Sequence, residues 1–349
     1  MKKQQYYGDY LGLPQLLDAQ HPESRLQGNE AHDELLFIII HQAYELWFKQ
    51  LLHELDSIRE IFQNQTVDDN SSALQTVTHR LGRMVEIWKL LIEQVRVLET
   101  MTAMDFLDFR DLLTPASGFQ SIQFRILEAG LGLKMEARHQ THYYEQQLRA
   151  DDLERVRKAE SQTGLFELLD AWLGRIPFWD VDKYWGGGQA PASVSEHPFW
   201  ADFRQAYAKS LSNTEQKQIG LESFEQFFFE PTEGKERPFR LSAAAARASL
   251  FITLYRDYPL LQQPFQLLSK VLEIDELMAT WRYRHWIMVR RMIGLRAGTG
   301  GSSGAGYLKG AMESHHVFND FARIATFLLP RQQLPTLPKA LETRLGFLL

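Results

Sequence analysis

Apolar residues recur at helical spacing through most of this chain, and no segment alternates convincingly as a half-buried strand would. Helix-on-helix packing is therefore the available way to bury a core. We expect an all-α fold in a single large helical domain, because no internal repeat and no composition break marks a linker. The 349 residues, 44% hydrophobic and 23% charged, are ample for a full core.

The pattern predicts a long helix from Asn29 or Asp33, either of which could cap it, to about Phe62. Glu34 suits the positive end of its dipole, and its first half is apolar on nearly every side, as a central helix requires. A second helix is expected from about Ala73 to Glu99, with Met84, Ile87, Leu91 and Val95 at helical spacing. A shorter one covers Asp105 to Leu113, broken near Pro115 and Gly118, and Gln120 to about Ala129 begins another. From about 136 to 240, helical pieces (Asp152–Ala159, Gly164–Leu173, His197–Leu211) are joined by loops that include Trp185-Gly-Gly-Gly. Ser242 is expected to cap an alanine-rich helix ending before Pro259, and Asp275 to cap a helix of about five turns carrying His285. A last helix near Phe318–Leu329 would end at Pro330.

The formal net charge of -6 argues against a general nucleic-acid binder. Cysteine is absent, which excludes disulfides, thiolate nucleophiles and cysteine-held clusters, so any transition metal must rely mainly on histidine, carboxylate or tyrosine. MKKQQYYGDY has no apolar signal core, and Leu35–Ile40 is far too short to cross a bilayer. A soluble cytoplasmic protein is the expectation.

Leu277, Trp281, His285, Val289 and Met292 fall on one stripe of a helix, which embeds the imidazole in an apolar face and favours its neutral form. Taken alone, a core histidine satisfied by a carbonyl is the plainer reading. The other is a metal or haem ligand, since iron takes a neutral imidazole nitrogen. Arg282, Arg284, Arg290 and Arg291 flank it, either as solvated charge or as partners for haem propionates. The glycine-rich run Ala297–Gly306 lacks the Lys-Ser/Thr of a phosphate loop and reads as a connector or as a loop able to close, with Thr299, Ser302 and Ser303 as polar groups. Phe37, His41, Glu45 and Phe48 share a stripe of the first long helix, where a flat apolar ligand could lie against Phe37. Arg110, just after Phe106 and Phe109, is either paired to a neighbouring aspartate or a bidentate clamp for a carboxylate. His139, His142, His315 and His316 form no complete ligand set and read as surface residues.

Taken together, these segments resemble the tryptophan 2,3-dioxygenase family of haem enzymes. Tyr7-Gly-Asp-Tyr-Leu11, His32–Lys49, Leu98-Glu-Thr-Met-Thr, Asp108-Phe-Arg-Asp, Pro115–Ser121, Trp281-Arg-Tyr-Arg-His285 and Gly298–Gly304 follow in family order, with the likeness thinnest from about 136 to 240. The resemblance implies cleavage of the indole C2–C3 bond of L-tryptophan to N-formyl-L-kynurenine, with O2 as co-substrate and haem b, ferrous when active, in a pocket between long helices.

It also implies roles. His285 matches the proximal iron ligand and His41 the distal histidine that contacts the indole N–H. Phe37 matches a wall of the indole pocket, with Ile38, Ile39 and Ile40 beside it. Arg110 matches the carboxylate clamp and Thr299 a contact to the substrate's polar end. Phe109, Leu113, Ser117 and Gly118 match further pocket or haem neighbours. Tyr7, Tyr10 and Leu11 match an arm within residues 1–28 that completes a neighbouring subunit's pocket, which implies a homotetramer built as a dimer of dimers. Some bacterial members carry tyrosine at the position of Phe106, and animal members phenylalanine, so the resemblance implies no tyrosine hydroxyl on the carboxylate here.

Overall fold

The computed structural model describes residues 5–64, 67, 72–135, 138, 148–187, 191, 193–211, 214–229, 237–294, 296, 298 and 304–346. Among them every regular element is helical, as the periodicity predicts. None is long and apolar enough to cross a membrane. The chain forms two compact units, one from Met1–His53, Glu86–Gln162 and Leu277–His316, the other from Glu54–Val85, Thr163–Glu276 and Val317–Leu349. Each is assembled from separated segments, which is why no composition break divides them.

The first long helix runs His32–Gln63 and the second Ser72–Leu98. Asp33 lies inside the first turn and does not cap it. Glu34 is buried, and its carboxylate accepts the backbone N–H groups of Glu23 (2.8 Å) and Ser24 (2.9 Å), so it caps the short helix Glu23–Leu26 instead. Met84, Ile87, Leu91 and Val95 are all buried, as their spacing requires.

The unit holding Glu86–Gln162 centres on Tyr44, Phe48, Trp88, Phe124 and Trp281, whose rings meet at 5.2–6.4 Å. The helices Ile122–Leu131 and Ala150–Glu160 pack through Ile122, Ile126, Leu153 and Val156. In the other unit, Ser242 caps Ala243–Leu254 by accepting from the Ala245 N–H at 3.2 Å. Buried Ala243, Ala245, Ala246 and Ala248 let Leu165–Leu173 approach closely. Phe251 packs on Phe178 and Phe199, and Trp200 on Phe228. His197 caps Pro198–Ser210 through Nδ1, a role that its position at the expected helix start foreshadows.

Three expectations are corrected. The His285 helix starts at Pro259, not Asp275, and runs 35 residues to Ile293 with Pro264 inside it. Pro259 stands at the first helical position, where a missing N–H costs nothing. Asp275 lies mid-helix, and its buried carboxylate accepts the N–H groups of Val317 (3.0 Å) and Phe318 (3.2 Å). Removing it leaves two buried donors short of an acceptor. Asp275→Ala is therefore expected to lower unfolding free energy by about 2–4 kcal/mol; an unchanged urea midpoint would refute that role. The glycine-rich run, expected to be loop as far as Gly306, is helical from Gly304, in Gly304–Ser314. The terminal helix is shorter, Asn319–Arg323 followed by a tighter turn, Ile324–Phe327, and a further helix, Lys339–Leu345, follows.

Candidate active site

Thr102 accepts the Asp105 N–H at 3.3 Å while the Asp105 carboxylate accepts the Thr102 N–H at 2.8 Å. This reciprocal cap starts the helix Ala103–Arg110. Phe106, Phe109 and Arg110, spaced i, i+3 and i+4, then share one face. The Phe37 ring lies 5.7 Å from Phe106 and 5.6 Å from Phe109, which meet each other edge-on at 5.4 Å. The His41 imidazole sits 4.1 Å from Phe37. Two helices thus build one aromatic wall with a single imidazole in it.

Nδ1 of His41 lies 2.7 Å from the Phe37 carbonyl oxygen. A carbonyl only accepts, so Nδ1 carries the proton and Nε2 keeps its lone pair. Burial pushes the His41 pKa down, against the Phe37 carbonyl and the Glu45 charge, which pull it up. The ring is neutral and offers an acceptor.

Glu45, one turn on, ties this helix to the next loop. Its carboxylate accepts from Ser121 Oγ at 2.5 Å and Gln123 Nε2 at 2.8 Å. Ser121 caps Ile122–Leu131, and Ser117 caps the turn Gly118–Gln120. Above Gly118 the space a Cβ would take is open. Sequence reasoning placed Glu45 on the His41 stripe but missed this latch; the i+4 spacing was the available signal.

His285 is held by its neighbours' rings. Trp281 stacks on it at 5.4 Å with 14° between planes, and Phe124 lies 5.2 Å from Trp281. Its Nδ1 is buried without a hydrogen-bond partner among the described residues. Burial drives its pKa to about 4, and a charge on His41 would push it lower still, so the two imidazoles share one electrostatic environment. The core-histidine reading puts a carbonyl on the ring, and among the described residues Nδ1 meets none. An imidazole kept neutral with an unused buried nitrogen fits a metal-ligand role.

Arg110 ends its helix with a side chain 15% exposed, and Nη1 is 3.4 Å from Asp111, whose own side chain is 90% exposed. That pair is long and screened, hence weak. Leu113 is half-buried in the turn after it. Ile40 is buried, Ile38 half-buried and Ile39 46% exposed. Tyr7, Tyr10 and Leu11 lie on the short helix Tyr7–Leu11, exposed by 72%, 70% and 44%. Thr299, with Ser302 and Ser303, lies outside the described residues, as do His139 and His142.

Two readings of the flanking charges change. Arg282 is neither solvated nor free for a propionate: it is buried, bonded to Glu128 at 2.7 Å and to the His315 carbonyl at 3.0 Å. Arg284 pairs with Glu99 at 2.8 Å, while Arg290 lies over the Trp286 ring. His315, expected at the surface, is buried beside Glu128, whereas His316 is exposed.

A sequence model of the tryptophan 2,3-dioxygenase family matches residues 1–328. Among relatives, the tryptophan 2,3-dioxygenase of Bdellovibrio bacteriovorus is 45% identical across 98% of each chain. That of Dictyostelium discoideum is 39% identical over 98% of this chain and 88% of its own. That of Rattus norvegicus is 42% identical over 94% and 83%. With a match of this extent, and with His41, Phe37, Phe106, Phe109 and Arg110 on facing helices beside a neutral His285, the chain belongs to the tryptophan 2,3-dioxygenase family.

Proposed function

We propose that this enzyme cleaves the indole C2–C3 bond of L-tryptophan with O2, giving N-formyl-L-kynurenine, the first step of tryptophan degradation by the kynurenine pathway. Family membership supports the reaction, and the His41 tautomer carries the substrate assignment. A neutral imidazole with Nδ1 committed to the Phe37 carbonyl presents Nε2 as an acceptor beside an aromatic wall. Indole, a flat ring with one N–H, complements that surface.

Haem b fits the other imidazole: His285 would hold its iron, with Ser117 and Gly118 as neighbours of the macrocycle. Ferrous haem supplies O2 activation, and the protein supplies binding and orientation. Phe37 and Phe106 hold the indole plane. His41 Nε2 receives the indole N–H. Arg110 takes the carboxylate bidentately, and Thr299 the substrate's polar end. Expulsion of water strengthens each of these contacts. Phe106 offers no hydroxyl, so the carboxylate depends on Arg110. Exposure of Tyr7, Tyr10 and Leu11 supports their role as an arm reaching another subunit in a homotetramer.

His41 orients the substrate and is not an obligatory base, because an indole N–H is a very weak acid. His41→Ala is accordingly expected to retain activity above a haem-free background, with a raised KM for tryptophan. Complete loss in a variant that still binds haem would make His41 the base. The reaction itself is tested by anaerobic reduction, addition of L-tryptophan and then isotopically labelled O2. Both labelled atoms should appear in the product; incorporation of one or none overturns the dioxygenase reading.

A further inference from the structure

A buried charge cluster lies beside the site and has no part in the chemistry above. Glu128, fully buried, accepts from Arg138 at 2.5 Å and Arg125 at 3.4 Å on one oxygen, and from Arg282 at 2.7 Å on the other, with His315 Nδ1 at 3.3 Å. Arg138 also binds Glu160 at 2.9 Å. The arginines hold the Glu128 carboxyl well below the usual carboxylate range despite its burial. Taking so many charges out of water is expensive, and well-packed apolar side chains could match the stability. A buried ionic cluster gives something that apolar contacts do not, a fixed register.

We propose that Arg282 is a positioning residue for His285, whose fork, bridging Glu128 and the His315 carbonyl, fixes the rotation and register of the helix turn that presents the imidazole. The geometry is direct. Arg282 precedes His285 by three residues, on the same side of the helix. Its guanidinium lies 5.8 Å over the Phe124 ring, Phe124 packs on Trp281, and Trp281 stacks on His285. A slip of one residue would turn the imidazole by about 100° and shift it about 1.5 Å. Two acceptors on two different segments, Glu128 and His315, forbid that slip. Lysine keeps the charge but cannot reproduce the fork.

This inference rests on His285 as the haem ligand, and the experiment separates the two claims. Arg282→Lys and Arg282→Gln, which keeps a donor but not the fork, are compared with Arg138→Lys, which alters the same carboxylate's partners away from the His285 helix. In Arg282→Lys the ferric Soret band and electron paramagnetic resonance of the bound haem should shift. Its kcat should fall about tenfold while KM for tryptophan stays within about twofold. Arg138→Lys should lose thermal stability with the wild-type spectrum. Unchanged spectra and kcat in Arg282→Lys and Arg282→Gln, or equal shifts in Arg138→Lys, overturn the proposal. If Arg282→Lys does not fold, Arg282→Gln decides by the same signs. A wild-type chain that binds no haem defeats the His285 reading alone. Amide exchange over residues 281–292, faster in Arg282→Lys than in Arg138→Lys, still decides the anchoring; equal rates refute it.

Discussion

His285→Ala is expected to purify as folded protein without a Soret band, and millimolar imidazole should restore one. Nδ1 of His285 is buried and has no hydrogen-bond partner among the described residues, so removing the ring orphans no acceptor of Nδ1 there. The stability cost is then that of a cavity beside Trp281, on the order of 1–3 kcal/mol. A structural histidine behaves oppositely: its removal leaves a buried acceptor unsatisfied and reduces stability without touching colour. Burial that holds the pKa near 4 keeps the wild-type imidazole neutral, the form that binds iron. Imidazole diffusing into the vacated space supplies the same nitrogen without the helix tether. A wild-type Soret band in His285→Ala would move the ligand elsewhere, and the site reading with it.

The parts of this arrangement that the sequence made legible are those written in short-range patterns. Helical period alone located the helices of His41 and of Met84–Val95, and Ser242 behaved as the expected cap. The grouping of Phe106, Phe109 and Arg110 follows from i, i+3, i+4 spacing on Ala103–Arg110. What escaped were side chains whose partners are remote in sequence. Asp275 looked like a helix cap because Asp commonly is one, yet its partners lie 42 and 43 residues away. Arg282 looked like a surface or propionate-binding cation because Glu128, its partner, is 154 residues distant. His315 looked exposed because nothing local marks it as buried beside that same carboxylate, 187 residues back. A local pattern carries no information about a partner that only the tertiary fold delivers.

Replacing Arg110 is expected to have the second largest effect, and a selective one. Arg110→Ala should lower kcat/KM for L-tryptophan by about 2–5 kcal/mol, roughly 30- to 5,000-fold. Activity toward tryptamine, which has no carboxylate, should barely change, so the two substrates converge. The size follows from the environment. The guanidinium is 15% exposed, at the end of a helix whose other face-mates, Phe106 and Phe109, are apolar. Asp111, one competing partner, is 3.4 Å away and almost fully solvated, so that pair is weak. Phenylalanine at position 106 removes the hydroxyl that could share the load. Phe106→Tyr should therefore tighten tryptophan binding by about 2- to 10-fold, the value of one hydrogen bond, and partly rescue Arg110→Ala. Arg110→Lys should recover only a minor part, because an ammonium cannot form the two parallel bonds of the fork. Equal turnover of tryptamine and tryptophan by the unmodified enzyme would show that no carboxylate clamp operates and would remove Arg110 from the site.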